Sequence, residues 1–445
     1  MEQGQSAKME DEIMTKEQIM ELVETEDVEF IRLQFTDMFG NLKNMAVTSH
    51  QLEAVLSNRC RFDGQALYGD KAEGLDDMYL VPDLDSFVIL PWRPQQGKVA
   101  RFICDIYNED RSICVNSPRA ILKKVLKEAK EEGYTIYVDP ECEFFLFHAD
   151  ENGIPSTLTH DRAGYMDVGP VDLGENARRD MVLALEEMGF EIESSHHEKA
   201  PAQHEIDFKE QEALACADSV VTFRSAVRSI AKRFGLHGTF MPKPREGVAG
   251  SGMHMNISVY KDNKNIFNNR ESKEPTEEAK WFIGGIMAHI NALCAVTNPL
   301  VNSYKRLSSG FEAPKYNIWS TRNENGVARI RSAFGEDTKV ELRFPDSAAN
   351  PYLSIAACVK AGLEGIKNHT CPGVFAPDCY REEEGLPKLP ITLIEAVSFF
   401  EEDELMSELF GPEFVGLYVD EKTEEWEGFM QHVSNWEIHE YLNRM

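Results

Sequence analysis

The stretch Asp139-Pro-Glu-Cys-Glu-Phe-Phe-Leu-Phe147 decides how the rest of the chain is interpreted. Its apolar run predicts a buried strand over 142–147. Side chains two residues apart point to the same face of a strand, so Glu141 and Glu143 lie side by side at the mouth of this run. Two like charges in such a place cost free energy unless a cation or water screens them. The stretch therefore predicts either a cation-binding strand end or a strand end that lies in water.

Helical and extended patterns alternate on both sides of this strand. The first helix is predicted between a capping residue, Ser117, and a terminating glycine, Gly133. The other predicted helices cover 175–188, 217–234 and 276–296, and the other predicted strands cover 204–208, 239–242, 253–260 and 339–344. Interleaved strands and helices of this kind favour an α+β fold with one large domain.

The N-terminal part of the chain has a different pattern. A polar tail over 1–12 is expected to be disordered. Apolar and polar residues alternate over 30–35 and 45–47 on either side of the turn Phe39-Gly-Asn41, as they do in a β-hairpin. Strand-rich patterns follow up to residue 106. We therefore predict a small β-rich domain over 13–106 and a large domain over 107–445.

Composition limits the functions that this chain can have. Its 445 residues include 46 Lys and Arg and 76 Asp and Glu, which give a formal charge of −30. Nucleic-acid binding and adsorption to anionic membranes both need clustered positive charge, so neither is expected. No apolar run approaches the ~20 residues of a membrane span. The nine cysteines are scattered without a CxxC pair, which indicates reduced thiols and a cytoplasmic protein.

Further candidate ligands lie in or beside predicted strands. Glu198 and Glu205 flank a proline turn rich in histidine, where a polar surface loop is the alternative interpretation. His254 follows the Gly-Ser-Gly turn 250–252 and is equally compatible with a buried core histidine. Glu341 shares a strand face with Arg343, so an internal ion pair is the alternative there. Together with Glu141 and Glu143, these residues form a set of five glutamates and one histidine.

A set of carboxylates with one imidazole suits Mg²⁺ or Mn²⁺. Divalent ions on a carboxylate bed suit phosphoryl transfer, because they neutralise the charge of a nucleotide. The sequence contains neither a Walker loop nor the HRD and DFG motifs of protein kinases. Any nucleotide must therefore bind by another scheme.

Longer motifs occur in order along the chain. They are Phe62-Asp-Gly64, Glu141-Cys-Glu143, His196-His-Glu198, Gln203-His-Glu205, Phe240-Met-Pro-Lys-Pro244, Gly250-Ser-Gly-Met-His254, Thr297-Asn-Pro299, Asn302-Ser-Tyr-Lys-Arg306, Glu312-Ala-Pro314, Glu341-Leu-Arg-Phe-Pro-Asp346 and Asn350-Pro-Tyr-Leu353. With these motifs the chain resembles the bacterial class I glutamine synthetases over nearly its whole length. The resemblance implies a β-grasp N-terminal domain, a larger catalytic domain of antiparallel strands and helices, and a dodecamer of two hexameric rings. It also implies ATP-dependent ligation of ammonium to the side-chain carboxylate of glutamate through an acyl phosphate.

The resemblance assigns metal ligands and implies two or three Mg²⁺ or Mn²⁺ ions per site. The ligands of one ion match Glu143, Glu198 and Glu205. The ligands of the other match Glu141, His254 and Glu341.

The same resemblance assigns the remaining roles. Catalytic positions match Asp63, Glu312 and Arg343, where Glu312 closes the site and helps to deprotonate ammonium, and where Asp63 reaches the ammonium site of a neighbouring subunit. Positions that bind the amino-acid substrate match Arg306, Gly250 and Tyr165. Positions of the ATP site match Glu193, Ser258, Arg329 and Lys339.

Several positions depart from the family pattern. Ala66 and Ala249 replace polar residues, and Glu324 replaces an arginine beside the transferred phosphate. Three hypotheses therefore stand. The chain is a glutamine synthetase, or a related ligase that joins glutamate or another carboxylate to a different amine, or a ring protein with little catalysis that binds a nucleotide or regulator.

Overall fold

The computed structural model describes residues 14–69, 76–159, 161–269, 274–322, 325–330, 335–376 and 385–444. The tail expected over 1–12 and the position of Glu324 lie outside these ranges. Contacts divide the described residues into two compact units. One is formed by the chain up to Phe35 together with Leu42–Cys114, and the other by Thr36–Asn41 together with the chain from Val115 onward.

The first unit is a small sheet with short helices. Its elements are α1 (Lys16–Thr25), β1 (Val28–Thr36), β2 (Leu42–Thr48), α2 (Leu52–Leu56), β3 (Cys60–Asp63), α3 (Gln65–Tyr68), β4 (Asp77–Pro82), β5 (Val88–Ile89) and β6 (Lys98–Tyr107). The strand order is β2-β1-β6-β4-β3, and β1 runs parallel to β6. Ile31, Leu33 and Phe102 are fully buried, so β1 and β6 supply the core. The predicted hairpin is confirmed, because β1 and β2 are neighbours in the sheet.

The second unit begins with long helices between strands. Its first elements are α4 (Pro118–Glu131), β7 (Tyr134–His148), α5 (Glu175–Glu187), β8 (Ile192–His197), β9 (Gln203–Phe208), β10 (Gln211–Glu212), α6 (Ala213–Arg233), β11 (Leu236–Thr239), β12 (Met253–Lys261) and β13 (Lys264–Asn265). The remaining elements are α7 (Glu277–Thr297), α8 (Val301–Ser309), β14 (Tyr316–Ser320), β15 (Gly326–Ile330), β16 (Val340–Leu342), α9 (Pro351–Asn368), β17 (Val374–Phe375), α10 (Leu393–Glu402), α11 (Glu404–Phe410), α12 (Pro412–Gln431) and α13 (Asn435–Tyr441).

One large sheet organises this unit, and β7 lies in its middle. The strand order is β17-β14-β15-β16-β12-β7-β9-β8, while β10 and β11 also pair with β7 and β13 pairs with β12. The pairs around β7 are antiparallel, whereas β14 runs parallel to both β15 and β17. Phe144, Phe145 and Phe147 are buried, which explains why the apolar half of β7 fixes this strand in the core. The predicted α+β fold, with a β-grasp domain and a larger domain of mainly antiparallel strands and helices, is confirmed.

Most predicted elements of this unit are present, with one correction. The predicted helices coincide with α4, α5, α6 and α7, and the strand predicted over 142–147 is the second half of a longer β7. The strand predicted over 239–242 is wrong, because β11 ends at Thr239. Pro242 has no N–H for a sheet ladder, and its carbonyl instead accepts the N–H of Ser251 at 2.9 Å.

Helix α7 crosses the interior of this unit. By length and composition alone it is apolar enough to span a membrane, with a window of mean hydropathy 1.3, but 72% of that window is buried inside the protein. Its Thr276 side chain caps the first turn by accepting the N–H of Ala279. Glycines bring α7 and α9 into close contact, since a Cβ on Gly285 would lie 2.0 Å from the carbonyl oxygen of Ala361. Helix α7 is therefore a core helix.

Candidate active site

The candidate ligands lie opposite one another on neighbouring strands of the large sheet. Glu141 of β7 faces His254 of β12 on one side and Asp207 of β9 on the other. Glu143 of β7 lies directly opposite Glu205 of β9. Because directly opposed side chains have Cβ atoms ~5 Å apart, strand pairing alone brings these acids together on one face of the sheet.

A first cluster combines strands β7, β12 and β16. Ligand atoms of Glu141, His254 and Glu341 all lie within 4.8 Å of one another. His254 Nδ1 pairs with the Glu141 carboxylate at 3.0 Å and lies 3.8 Å from that of Glu341. The Asn256 amide donates to the other oxygen of Glu141 at 3.1 Å, which fixes this carboxylate in place. The three residues assigned to one ion by resemblance are thus neighbours in space.

A second cluster lies on β8, β9 and the turn between them. Ligand atoms of His196, Glu198 and Glu205 lie within 4.8 Å of one another. His196 Nε2 pairs with Glu198 at 2.9 Å. Glu143 lines the same cavity, and its carboxylate accepts the Gln203 amide at 2.9 Å and the backbone N–H of Gly252 at 2.8 Å. The structure therefore adds His196 to the predicted group of Glu143, Glu198 and Glu205.

Crowding and burial raise the pKa of several of these acids. Burial, followed by the nearby Glu198 charge, raises the pKa of Glu143 to about 8. Burial and Asp207 raise the pKa of Glu205 well above its usual range. Burial also raises the pKa of Asp139 to about 6 although Lys339 opposes the shift. Without a cation Glu143 therefore holds a proton near neutral pH, and all three raised pKa values show that nearby positive charge would favour the ionised carboxylates.

Glu341 differs because two arginines hold it. Arg343 Nη1 donates to one carboxylate oxygen at 2.5 Å, and Arg329 Nε donates to the other at 2.6 Å. Burial opposes ionisation of Glu341, but Arg343 and His254 outweigh it and lower its pKa. A carboxylate that stays ionised in the interior is a ready ligand for a cation.

These side chains enclose a cavity of about 420 Å³. It is lined by Asp139, Glu141, Glu143, Tyr165, Met166, Glu193, Ser194, His196, Glu198, Lys199, Glu205, Asp207, His254, Glu312, Arg329 and Arg343. Ten of these positions carry predicted roles: Glu141, Glu143, Tyr165, Glu193, Glu198, Glu205, His254, Glu312, Arg329 and Arg343. Most of the predicted metal, nucleotide and catalytic positions of the second unit therefore line one cavity.

Four predicted residues of this unit lie beside the cavity lining. Arg306 is buried, and its guanidinium donates to the carbonyl oxygens of Phe344 at 3.0 Å and of Arg343 at 3.1 Å. The Gly250 carbonyl accepts the same Gln203 amide that holds Glu143. The Ser258 hydroxyl donates to the Glu210 carboxylate at 3.2 Å. The Lys339 ammonium group pairs with the carboxylates of Asp139 at 2.9 Å and of Glu210 at 3.4 Å.

Two more positions named from the sequence belong to the first unit. Asp63 ends β3, is exposed, and accepts the N–H of Gln65 at 2.9 Å. Ala66 lies in the short helix α3. The divergent Ala249, in the second unit, packs against the buried cluster that contains Phe145 and Phe147. Its small apolar side chain is therefore accommodated by apolar neighbours.

Sequence reasoning missed several residues of the cavity. Asp139 continues the same strand face as Glu141 and Glu143, and Asp207 continues that of Glu205, so period-two spacing would have found both. His196 lies two residues before Glu198 and directly opposite Glu205. Lys199 lines the cavity from a turn, where neither strand nor helix periodicity predicts the direction of a side chain.

The donor set fits divalent cations. It consists of carboxylate oxygens and imidazole nitrogens, which suit Mg²⁺ and Mn²⁺. The opposed acids with raised pKa values need positive charge to ionise together. Asn256, Gln203 and the backbone N–H of Gly252 orient the carboxylates, as outer hydrogen bonds do at metal sites.

Two protein-family descriptions match this chain. Residues 27–109 match the family "Glutamine synthetase, beta-Grasp domain" and residues 115–441 match "Glutamine synthetase, catalytic domain". The two matches together cover most of the sequence.

Known proteins are similar to this chain over nearly its whole length. A Clostridium saccharobutylicum protein named glutamine synthetase is 52% identical over 438 residues, covering 97% of this chain and 99% of its own. One from Staphylococcus aureus (strain Mu50) is 46% identical over 439 residues, covering 97% and 98%. A structure described as a GmaS/ADP complex has a TM-score of 0.87 and 29% identity, covering 95% and 99%. The glutamine synthetase of Plasmodium falciparum, at 24% identity and a TM-score of 0.86 with 96% and 99% covered, shares the fold.

Proposed function

Because this chain belongs to the glutamine synthetase family, we propose that it is a glutamate–ammonia ligase. It joins ammonium to the side-chain carboxylate of glutamate at the expense of ATP, giving glutamine, ADP and phosphate. The observation that carries this function is the single cavity in which a carboxylate and histidine bed faces Arg343 and Arg329. A carboxylate is a poor acyl donor, so transfer of a phosphoryl group to it supplies the leaving group that an amine can displace.

Two or three Mg²⁺ or Mn²⁺ ions belong to the proposed site. Glu141, His254 and Glu341 would hold one, and Glu143, Glu198 and Glu205 another, with His196 adjacent. Bound divalent ions neutralise the charge of the ATP phosphates and of the transferred phosphoryl group. Support comes from the ligand atoms of Glu141, His254 and Glu341, and from those of His196, Glu198 and Glu205, which lie within 4.8 Å of one another in each group. Glu143 lines the same cavity.

Arginines and a glutamate have the proposed catalytic roles around the substrate. Arg343 stabilises the charge that develops on the transferred phosphoryl group, which is effective because it is buried and fixed by Glu341. Arg306 binds the α-carboxylate of glutamate beside Gly250. Glu312 accepts a proton from ammonium near Tyr165, and Asp63 of a neighbouring subunit completes the ammonium site.

The nucleotide occupies the part of the cavity that Glu193 and Arg329 line, with Ser258 and Lys339 beside it. Asp139 and Glu210 hold the Lys339 ammonium group, which keeps a positive charge at this position. The similar GmaS structure was described with ADP, in line with a nucleotide site in this fold.

The proposed assembly is a dodecamer of two hexameric rings in the cytoplasm. Support for the assembly comes from family membership alone. Support for the compartment comes from the cysteines, since the eight that the described residues include are all free thiols. The two alternative functions, a ligase for another amine and a weakly catalytic ring protein, are not favoured, because relatives named glutamine synthetase match at 46–52% identity over nearly the whole chain.

Phosphate release by the purified protein tests the function. We expect release from ATP only when glutamate and ammonium are both present with Mg²⁺ or Mn²⁺, and glutamine should form in equal amount. Release with a different acid or amine, but not with this pair, would overturn the proposal.

A variant of one ligand tests the site. Glu143→Gln keeps the size of the side chain and removes its charge, so turnover should fall at least ~100-fold, the usual loss for one electrostatic contact to a transition state. The matched control is Glu191→Gln, an exposed carboxylate paired with Lys209 outside the cavity. Equal activity of the two variants would argue against the metal assignment.

A further inference from the structure

A lysine side chain lies in the acidic cavity, in addition to Arg329 and Arg343. Lys199 lines the cavity, and its ammonium group forms an ion pair with the carboxylate of Glu312. The same Nζ lies 5.5 Å from the centre of the Tyr165 ring. A carboxylate on one side and an aromatic face on the other make a binding place for a cation with N–H donors.

The loop that carries Glu312 is held in an unusual conformation. Gly310, Phe311 and Glu312 all have positive φ values, of 76°, 53° and 68°. The left-handed region is costly for residues with a Cβ, so contacts around the loop must maintain it. Lys199 holds Glu312, and Lys243 Nζ lies 4.7 Å from the centre of the Phe311 ring. Two lysines thus contact two adjacent residues of this loop, and the exposed contact of Lys199 with Glu312 is the one that can break without unfolding the loop.

We propose that the side-chain ammonium group of Lys199 occupies the place of the second substrate and competes with free ammonium for Glu312. This inference rests on the proposed function, in which ammonium must enter the same cavity. A lysine head group and an ammonium ion are both compact cations that donate N–H hydrogen bonds, so a place that holds one also suits the other. Lys199 must therefore leave Glu312 before ammonium can bind there.

The strength of the competition follows from the exposure of the pair. The side chains of Lys199 and Glu312 are 44% and 39% exposed. Ion pairs this open to water are weak, so the pair breaks readily and lowers the apparent affinity for ammonium by no more than about fivefold. Lys199 thus raises the KM for ammonium and leaves kcat at saturating ammonium unchanged.

Steady-state kinetics with varied ammonium, at saturating ATP and glutamate, test this role. In Lys199→Met the KM for ammonium should fall roughly two- to fivefold. The kcat at saturating ammonium and the KM values for ATP and glutamate should stay within about twofold, because saturating ammonium displaces a competitor. Lys199→Arg retains the positive charge, so its KM for ammonium should lie closer to the wild-type value than that of Lys199→Met does.

The control is Lys209→Met, which removes a lysine from an exposed pair with Glu191, and neither residue lines the cavity. Its ammonium KM should equal that of the wild type. An active wild-type enzyme whose ammonium KM is unchanged or higher in Lys199→Met would overturn this inference alone. A wild-type protein with no glutamate- and ammonium-dependent phosphate release would overturn the proposed function, and this inference with it.

Discussion

Glu143 and Glu205 lie directly opposite each other on the antiparallel strands β7 and β9. Like charges in directly opposed positions destabilise a sheet, and burial adds to the cost. The burial of the apolar half of β7 fixes the strand register and so places the two acids opposite each other. Their raised pKa values mean that protons can neutralise them when no cation is bound. The pair therefore favours the binding of a cation, which lets both carboxyl groups ionise.

Divalent ions should stabilise the protein through this pair. An ion at ~100 times its Kd adds about 2.7 kcal/mol to the unfolding free energy, because it binds only the folded chain. Differential scanning fluorimetry should show a higher Tm with Mn²⁺ or Mg²⁺ than with EDTA. In Glu205→Gln, a roughly tenfold weaker affinity would remove about 1.4 kcal/mol, half of this gain. An equal ion-dependent rise in Glu205→Gln and in the wild type would exclude Glu205 as a ligand.

The metal-free protein should become less stable as the pH rises. Glu143 has a pKa of 4.5 as a free side chain and about 8 in the fold, where burial and Glu198 raise it. The folded state therefore binds more protons, and its contribution to stability is full below pH 4.5 and declines up to about pH 8. Urea unfolding in EDTA across this range should show that decline, and a flatter profile in Glu143→Gln. A matching slope in both proteins would contradict the shift.

With a divalent ion present the pH dependence should reverse in part. The ion binds carboxylates only when they are deprotonated, so the stabilisation that it provides grows with pH. The difference in Tm between Mn²⁺ and EDTA samples should be larger at pH 8 than at pH 6, because Glu143, with a pKa of about 8, is deprotonated in a larger fraction of molecules at pH 8. A difference independent of pH would mean that the ion binds elsewhere.

Arg306 should determine affinity for the amino-acid substrate. Its two Nη groups each hold a backbone carbonyl, of Phe344 and of Arg343, so the guanidinium fork is fixed in orientation. Arg306→Lys keeps the charge but loses the fork, and a charged hydrogen bond is worth about 1.5–3 kcal/mol. We expect the KM for glutamate to rise ~10- to 100-fold, with little change for ATP. Arg233→Lys, on the exposed end of α6, is the control.

Close packing of α7 on α9 should tolerate no added methyl group. A Cβ at Gly285 would meet the Ala361 carbonyl oxygen at 2.0 Å, and backbone cannot rotate away as a side chain does. Gly285→Ala should cost about 1–3 kcal/mol or prevent folding. Gly416→Ala in α12 meets no atom within 4 Å and should instead stabilise its helix by up to ~1 kcal/mol. A Gly285→Ala protein with the wild-type Tm would refute this packing.

The site was predictable from the sequence where strand periodicity applied. Glu141 and Glu143 share a face because residues two apart do so in any strand, and the fold places His254 opposite Glu141. The pairing of strands is a different matter, since residues 141, 205 and 254 are far apart in the chain. Residue chemistry grouped them as one candidate ligand set, but only the resemblance to a family divided them between two ions, and local pattern alone left a solvated strand end as the alternative.

Other features depend on three-dimensional contacts that no local pattern encodes. His196 joins the second cluster through cross-strand pairing with Glu205. Lys199 reaches Glu312, a partner 113 residues later in the chain. The strand predicted over 239–242 is wrong for a similar reason. The Pro242 carbonyl accepts the N–H of Ser251 and does not extend β11.

The arrangement of the first cluster has a consequence for biogenesis. Glu141 and Glu341 come from strands that are separated by most of the second unit, and β12 must lie between those strands before the acids meet. A nascent or partly proteolysed chain that lacks β16 therefore has an incomplete ligand set. A complete first cluster therefore requires a chain that extends through β16 and a sheet in which β12 pairs with both β7 and β16.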